Sequence, residues 1–334
     1  MDNEPGACGY GGASAIGVEL ADLATRLAVV AVGADGQRLG RVQRVRLERP
    51  PTPDETVERL GALITEQRAG ATLTEVGVAV WAHVQPERGV IDEPRFGVAW
   101  NTYPFVERLS AAVGAPVRLI AGVNAAARAE ARVDVAIEKS PLLYIHQGRT
   151  VTSALVIDGE PLLGARYDAG RLGHWQTGLD GPRCQCGVRG HLDPLASAQS
   201  LARLAIGVAA DDDEALAAIH RITGMRAEAL TAPQVIALAR DGVRAIRELV
   251  DVAVDALAGA LADLVVTLDP AIIVIGGPLA LADAVYPGWL RERLGERLAS
   301  VMSAAPPVVA ATLEPNAAAL GAAQLSDAAR HAAG

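Results

Sequence analysis

The sequence predicts an α/β fold made of two units of similar grammar, and three observations carry that expectation. The 334-residue chain is 51% hydrophobic but only 3% aromatic, so Ala, Val and Leu must fill its core, as they do in helix-covered parallel or mixed sheets. Twice along the chain a strand-rich opening gives way to a helical close, with no low-complexity linker between the two. Ile272 to Ile275 is a fully apolar run that stops at Gly276-Gly277-Pro278, the pattern of a strand covered on both faces. The length allows two domains or one large two-part unit.

Ala15 to Leu20 and Leu27 to Val32 are short apolar strands, Ala34-Asp35-Gly36 is a turn, and Arg41 to Leu47 is a third strand. Thr52 to Ala69 is a helix, because Pro53 suits a first turn and Asp54 and Glu55 complement its dipole. Val76 to Trp81 is a buried strand. Tyr103 to Val113 is a helix ended by Gly114, and the strand Val117 to Ile120 leads into an Ala-rich helix from Asn124 to Val133.

The second unit opens with strands at Leu142 to Ile145 and Ala154 to Ile157, followed by an Asp158-Gly159 hairpin turn. Pro194 to Thr267 is almost wholly helical, broken at Asp241-Gly242 and stopped by Asp269-Pro270. Ile272 to Ile275 and Pro306 to Ala311 are strands before a terminal helix that starts at Asn316 and ends near Ala329.

Bulk charge excludes several functions. A net charge of −9 without any Lys/Arg run argues against a general nucleic-acid surface and a basic membrane-surface helix. Leu249 to Thr267 carries Asp251, Asp255 and Asp263, which makes it a poor membrane span. Met1 to Ser14 has acids where an export signal needs bases, so the expected location is cytoplasmic. Two of the three cysteines share one loop and Cys8 stands alone, which fits a reducing compartment.

That loop is the densest chemical signal. His174, Cys184, Cys186 and His191 lie in one eighteen-residue window, with Gly173, Gly187 and Gly190 letting it fold back on itself. Two thiolates and two imidazoles suit tetrahedral zinc, and four protein ligands leave no open position, so the site is structural rather than hydrolytic. The competing reading is a pair of reduced thiols beside two ordinary histidines.

The segment from Gly164-Ala165 to Gly173-His174, then Cys184-x-Cys186-Gly187-x-Arg189-Gly190-His191-Leu192-Asp193, resembles the signature of the ROK family of repressors, open reading frames and sugar kinases. That family usually has Cys where His191 stands. The resemblance spans roughly residues 15 to 325, through Pro94 to Trp100, Asn124 to Ala127, Leu268-Asp269-Pro270, Ile273 to Gly277 and Ala319 to Ala323. It implies an actin-like, ribonuclease H-like sugar-kinase fold of two lobes. Residues 1–14 then form a flexible N-terminus, and 15–122 the first lobe, completed by the C-terminal helix 316–330. Residues 123–315 form the second lobe, carrying the zinc loop 174–191.

The departures from the family matter more. Its Asn-Asp-Ala-Asn segment reads Ala121-Gly122-Val123-Asn124, which puts Gly122 at the catalytic base and removes the proton acceptor. Its first phosphate loop reads Glu19-Leu20-Ala21-Asp22-Leu23, with an acid near the phosphate. Its second reads Gly148-Arg149-Thr150-Val151-Thr152-Ser153-Ala154, so side chains obstruct the backbone amides. Gly276-Gly277 keeps the look of the adenosine end, or is a plain strand-to-helix turn. ATP and magnesium are therefore doubtful cofactors.

At the sugar-contact positions implied by the family, Arg171 replaces a Glu while His174 and Asp193 are retained, and Asn124 joins them as a candidate ligand contact. Arg171 either bridges to Asp168 or Asp193, or turns the pocket toward an anionic sugar derivative. His146 and Arg149 could hold an anion or be solvated. Trp81, His83, Trp100 and Trp175 could stack on a sugar or simply anchor the core. His220 and His331 read as surface residues, and Asp211 to Glu214 as first-turn acids rather than a calcium loop.

The expected function is a non-catalytic ROK protein that senses a sugar-like ligand, in a homodimer. Direct DNA binding is not expected, because only about a dozen residues precede the first strand, too few for a helix-turn-helix. The alternative is an ATP-dependent sugar kinase with an atypical site, in which Asp22, Asp92 or Asp168 serves as the base or as a magnesium partner.

Overall fold

A computed structural model describes residues 14–22, 25–32, 42–68, 72–93, 97–133, 136–178, 180–282 and 285–325. The Ala34–Gly36 turn, Leu23, the Pro94–Phe96 segment, residues 1–13 and everything after Leu325, His331 included, lie outside the described residues. The chain divides into two compact units, one of Met1–Ala129, Leu163–Tyr167 and Asn316–Gly334, the other of Glu130–Leu162 and Asp168–Pro315.

The first unit holds strands β1 (Ser14–Ala21), β2 (Arg26–Val32), β3 (Gln43–Arg46), β4 (Leu73–Val80), β5 (Val84–Gln85), β6 (Val90–Ile91) and β7 (Val117–Ala121). Its helices are α1 (Pro53–Arg68), α2 (Val98–Asn101), α3 (Phe105–Val113) and α4 (Gly122–Glu130), with α11 (Ala317–Ala323) returning from the end of the chain. The main sheet runs β3-β2-β1-β4-β7. Its first two pairings are antiparallel and its last two parallel.

Alternation sorts β1 between two covers. Ile16, Val18 and Leu20 pack with Leu60 and Ile64 of α1 and Phe105 and Leu109 of α3. On the other face Gly17 and Gly77 meet α11 so closely that an added Cβ would lie 1.8 Å from Ala319 O and 1.9 Å from Ala322 O. Only glycine permits that backbone contact. The division after Ala129, rather than after Gly122, has the same cause: an added Cβ at Gly321 of α11 would lie 1.7 Å from Ala125 O, so α4 packs with the first unit.

The second unit holds β8 (Leu142–Gln147), β9 (Val151–Ile157), β10 (Glu160–Pro161), β11 (Ile272–Gly276) and β12 (Val308–Ala310). Helices α5 (Asp193–Ala196), α6 (Ala198–Ala209), α7 (Asp213–Thr223), α8 (Ala232–Arg240), α9 (Arg244–Leu268) and α10 (Val285–Leu298) complete it. Ile246, Val250, Val254, Leu257, Leu261 and Val265 bury one stripe of α9 at helical spacing. Asp269 closes that helix in the left-handed conformation, at φ 45°. The sheet runs β10-β9-β8-β11-β12, again with two antiparallel pairings followed by two parallel ones. Both units thus repeat one strand order, with β1, β4 and β7 matched by β8, β11 and β12.

Two expectations shift. β9 begins at Val151, because Gly148, Arg149 and Thr150 form a tight turn closed by Gly148 N donating to Thr150 O at 3.1 Å. Half of the expected second phosphate loop is therefore strand. The hairpin β5–β6 and the single turn α2 were not expected, being too short to show a period.

Candidate functional site

The loop after β10 brings the four expected ligands together. Leu172–His174 form a short 3₁₀ turn, and bridges Gln176↔His191 and Arg183↔Arg189 fold the loop back on it. Cys184 N donates to Val188 O and Gly187 N to Cys184 O, each at 2.8 Å, in a turn that holds the buried Cys184 and the exposed Cys186 close to the two histidines. Gly187 and Gly190 hold φ of 92° and 80°, conformations a side chain resists. The ligand atoms of His174, Cys184, Cys186 and His191 all lie within 4.8 Å of one another.

Both rings present Nδ1. His174 Nδ1 lies 3.3 Å from His191 Nδ1 and 3.8 Å from Cys184 Sγ, and His191 Nδ1 lies 3.3 Å from Cys186 Sγ. Bond lengths to tetrahedral zinc imply ligand separations of about 3.3 to 3.8 Å, the range of these three contacts, so the four residues could hold a metal ion. Burial, then His191 and Arg171, push the His174 imidazole below its ordinary pKa, and burial pushes the Cys184 thiol up.

Around this loop the sugar-contact candidates have acquired partners. Arg171 donates through Nε to Asp168 Oδ1 at 2.7 Å and again through Nη2, so its bridge is to Asp168 and not to Asp193. Asp193 is buried at the start of α5, and its Oδ1 accepts from Val151 N at 2.6 Å, tying the end of the Cys/His loop to β9. Trp175 is exposed beside His174. His220 is half-buried on α7, and Asp212 caps that helix by accepting from Ala215 N at 2.8 Å, which accounts for the acidic run.

The carboxyl ends of the parallel strands in the first unit carry Gly122, the residue expected from the resemblance to stand at the base position. Trp81 follows β4 and Gly122 follows β7. A Cβ on Gly122 would lie 2.6 Å from Trp81 Cδ2 and 2.9 Å from Cε2, so the indole fills the space a side chain needs. Trp81 is pinned there: its backbone N donates to Leu20 O at 3.0 Å and its Nε1 to Glu19 Oε1 at 2.6 Å. Asn124 is buried in the first turn of α4, with no hydrogen-bond partner for Oδ1 among the described residues. Trp100 is a core residue against Phe105, at 6.1 Å between ring centres, and His83 is half-buried.

The three acids named as replacements for the base are engaged on their own segments. Asp22 bridges Arg26 at 2.6 Å, Asp92 accepts from Gln85 Nε2, and Asp168 holds Arg171. Glu130 is engaged too, its carboxylate accepting from Thr312 N at 3.0 Å and Leu313 N at 2.7 Å.

At the matching strand ends of the second unit, the glycine pair is explained by packing. An added Cβ on Gly276 would lie 1.9 Å from the Tyr144 hydroxyl, and one on Gly277, at φ 87°, would lie 2.7 Å from Gln147 O. The Gly277 amide donates to Glu314 Oε1 at 2.8 Å. Tyr144 OH donates to the same oxygen at 3.0 Å, and His146 Nδ1 stands 3.7 Å from it. Burial pushes Glu314 upward, yet His146, Gly277 and Tyr144 together hold it below the usual carboxylate range. Arg149 is exposed on the neighbouring turn. Sequence reasoning missed both Glu314 and the Trp81–Gly122 contact.

The sequence matches the ROK family from residue 16 to residue 329. This chain belongs to the ROK family. The glucokinase of Thermotoga maritima is 28% identical to it over 311 residues, covering 93% of this chain and 96% of the relative. A ROK family glucokinase from Streptomyces griseus, solved in complex with glucose and AMPPNP, matches with a TM-score of 0.80 at 24% identity, over 93% of this chain and 98% of that one. A ROK family transcriptional regulator, homologous to the E. coli MLC protein, matches with a TM-score of 0.76 at 22% identity, over 95% and 78%. The fold is the actin-like α/β fold of ROK sugar kinases. Kinases and a regulator share it, so fold alone does not choose between them.

Proposed function

We propose that this ROK chain is a non-catalytic protein that binds a sugar or sugar derivative and passes its occupancy to a partner protein, as a homodimer. The observation that carries the reading is Gly122 under the Trp81 indole. A sugar kinase needs a carboxylate to take the proton from the attacking hydroxyl, a contribution of about 10²- to 10⁴-fold. Here that position has neither a carboxylate nor room for one, and the acids Asp22, Asp92 and Asp168 are already paired.

Zinc in the loop formed by His174, Cys184, Cys186 and His191 belongs to the same proposal. With no coordination position left open, the ion supplies a cross-link and no Lewis-acid chemistry. The cross-link fixes Asp193 against β9 and sets the loop that carries Arg171. A neutral sugar suits Arg171 as it stands, charge-balanced by Asp168; a sugar acid or phosphate would take over the guanidinium from Asp168.

The deciding experiment combines Mg-ATP with glucose or N-acetylmannosamine and measures ADP release alongside thermal shift with sugars, sugar acids and sugar phosphates. The expected result is no turnover and a rise in Tm with one ligand class. Phosphoryl transfer at roughly 1 s⁻¹ or faster would overturn the proposal.

Similarity to a glucokinase along nearly the whole length favours a second reading, an ATP-dependent sugar kinase with an atypical site. A rise in Tm with Mg-ADP would support it, and no rise would count against it.

A further inference from the structure

We propose that Glu314 is a built-in plug, occupying an oxyanion cradle formed by the Gly277 amide, the Tyr144 hydroxyl and the His146 imidazole. This deepens the non-catalytic reading and rests on it only for the expectation that the wild-type chain binds no nucleotide.

Two hydrogen-bond donors converge on one atom, with an imidazole close beside them. Gly277 N, Tyr144 OH and His146 Nδ1 reach Glu314 Oε1 at 2.8, 3.0 and 3.7 Å, and the side chains of His146 and Glu314 are only 12% and 10% exposed. A backbone amide, a phenol and an imidazole around one point are what a phosphate or carboxylate oxygen requires.

The backbone is shaped for that convergence. Residue 276 lacks a side chain where the Tyr144 hydroxyl passes, and residue 277 takes a left-handed conformation that leaves its amide available to Oε1. Tyr144 is itself fully buried, so its hydroxyl is fixed in place.

Position in the sheet adds an independent argument. Tyr144 and His146 lie on β8 toward its carboxyl end, Gly277 directly follows β11, and Glu314 comes from the segment after β12, three neighbouring parallel strands. The carboxyl ends of parallel strands are where open α/β sheets receive anionic ligands. In this chain the anion is covalently part of the protein. The ligand chemistry excluded is therefore a phosphate group, whether free or carried by a nucleotide.

Isothermal titration with inorganic phosphate and with ADP tests this on wild-type protein and on Glu314→Ala, Glu314→Gln and the double variant Glu314→Ala/His146→Ala. Emptying the cradle should make Glu314→Ala bind phosphate about 10- to 100-fold more tightly than wild type, the worth of one charge-assisted hydrogen bond. Glu314→Gln, which fills the same space without charge, should bind no better than wild type, and removing His146 should abolish the gain. If Glu314→Ala folds poorly, its Tm in phosphate against chloride of equal ionic strength gives the same readout.

Phosphate affinity unchanged in Glu314→Ala, equal affinity in wild type, or a gain with ADP but none with phosphate would each overturn the plug. Sugar phosphorylation by the wild-type chain would overturn the proposed function instead, so the two failures are distinguishable.

Discussion

The two units present the same three strand ends and treat acidity there in opposite ways. At the ends of β1, β4 and β7, an aromatic ring stands over Gly122, the position assigned to an acid by family resemblance, and the remaining acid, Glu19, is bound to that ring. At the ends of β8, β11 and β12, a carboxylate from outside the strands sits on the glycine turn. One unit fills its glycine position with an aromatic ring, and the other sets a carboxylate on its glycine turn. Repeated topology supplies positions, and the residues at those positions decide the chemistry.

The largest test of this contrast concerns a feature that, among the described residues, only the second unit carries. If its Cys/His loop holds zinc as proposed, Cys184→Ser should lose the metal and destabilise the chain by about 3 kcal/mol or more. Metal content per chain and the urea midpoint check this. A metal-free variant as stable as wild type would remove the cross-link from the account.

In the first unit, Gly122→Asp should cost about 1–3 kcal/mol, because the new side chain must displace the Trp81 ring. Combined with Trp81→Ala, it should cost less than the sum of the two single changes, with a coupling of about 1–3 kcal/mol in a double-mutant cycle. Additive effects would mean that ring and glycine are independent.

A smaller effect separates the units by pH. Glu314 is held below its ordinary range in the folded chain, so its contribution to stability is complete above that range and is lost as pH falls through the folded value. Glu314→Gln should therefore flatten the acid limb of the urea midpoint as pH falls through and below the ordinary carboxylate range. An unchanged acid limb would contradict the hydrogen-bond assignment. Smallest of all, Trp81→Phe keeps the ring but removes the donor to Glu19, and should cost about 1 kcal/mol in the urea midpoint.

Much of the fold was legible because its signals are local. The apolar runs of β1, β2, β4, β8 and β11 stand where the sequence placed them, as does the helix break at Asp241-Gly242 before α9. The Cys/His cluster was legible for the same reason, since its four residues share one short window. The Trp81–Gly122 contact was not legible, because neither residue announces the other. It follows from pairing register, which sets Leu20 beside Val80 and Val80 beside Ala121, so that the next residue of each strand meets at the sheet's edge. Glu314 was hidden in the same way: an acid next to a proline after a short strand looks like a solvated turn until the strand order brings it to Gly277.

The helix α11 has a consequence for how the molecule is made. It covers one face of the first sheet, touching Gly17 and Gly77, although some 240 residues of chain lie between Gly77 and its first turn. During synthesis the second unit, drawn almost entirely from one continuous stretch, can close while that earlier sheet still waits with a face bare to the ribosome and its chaperones. The half of the protein that begins first is therefore the half that finishes last.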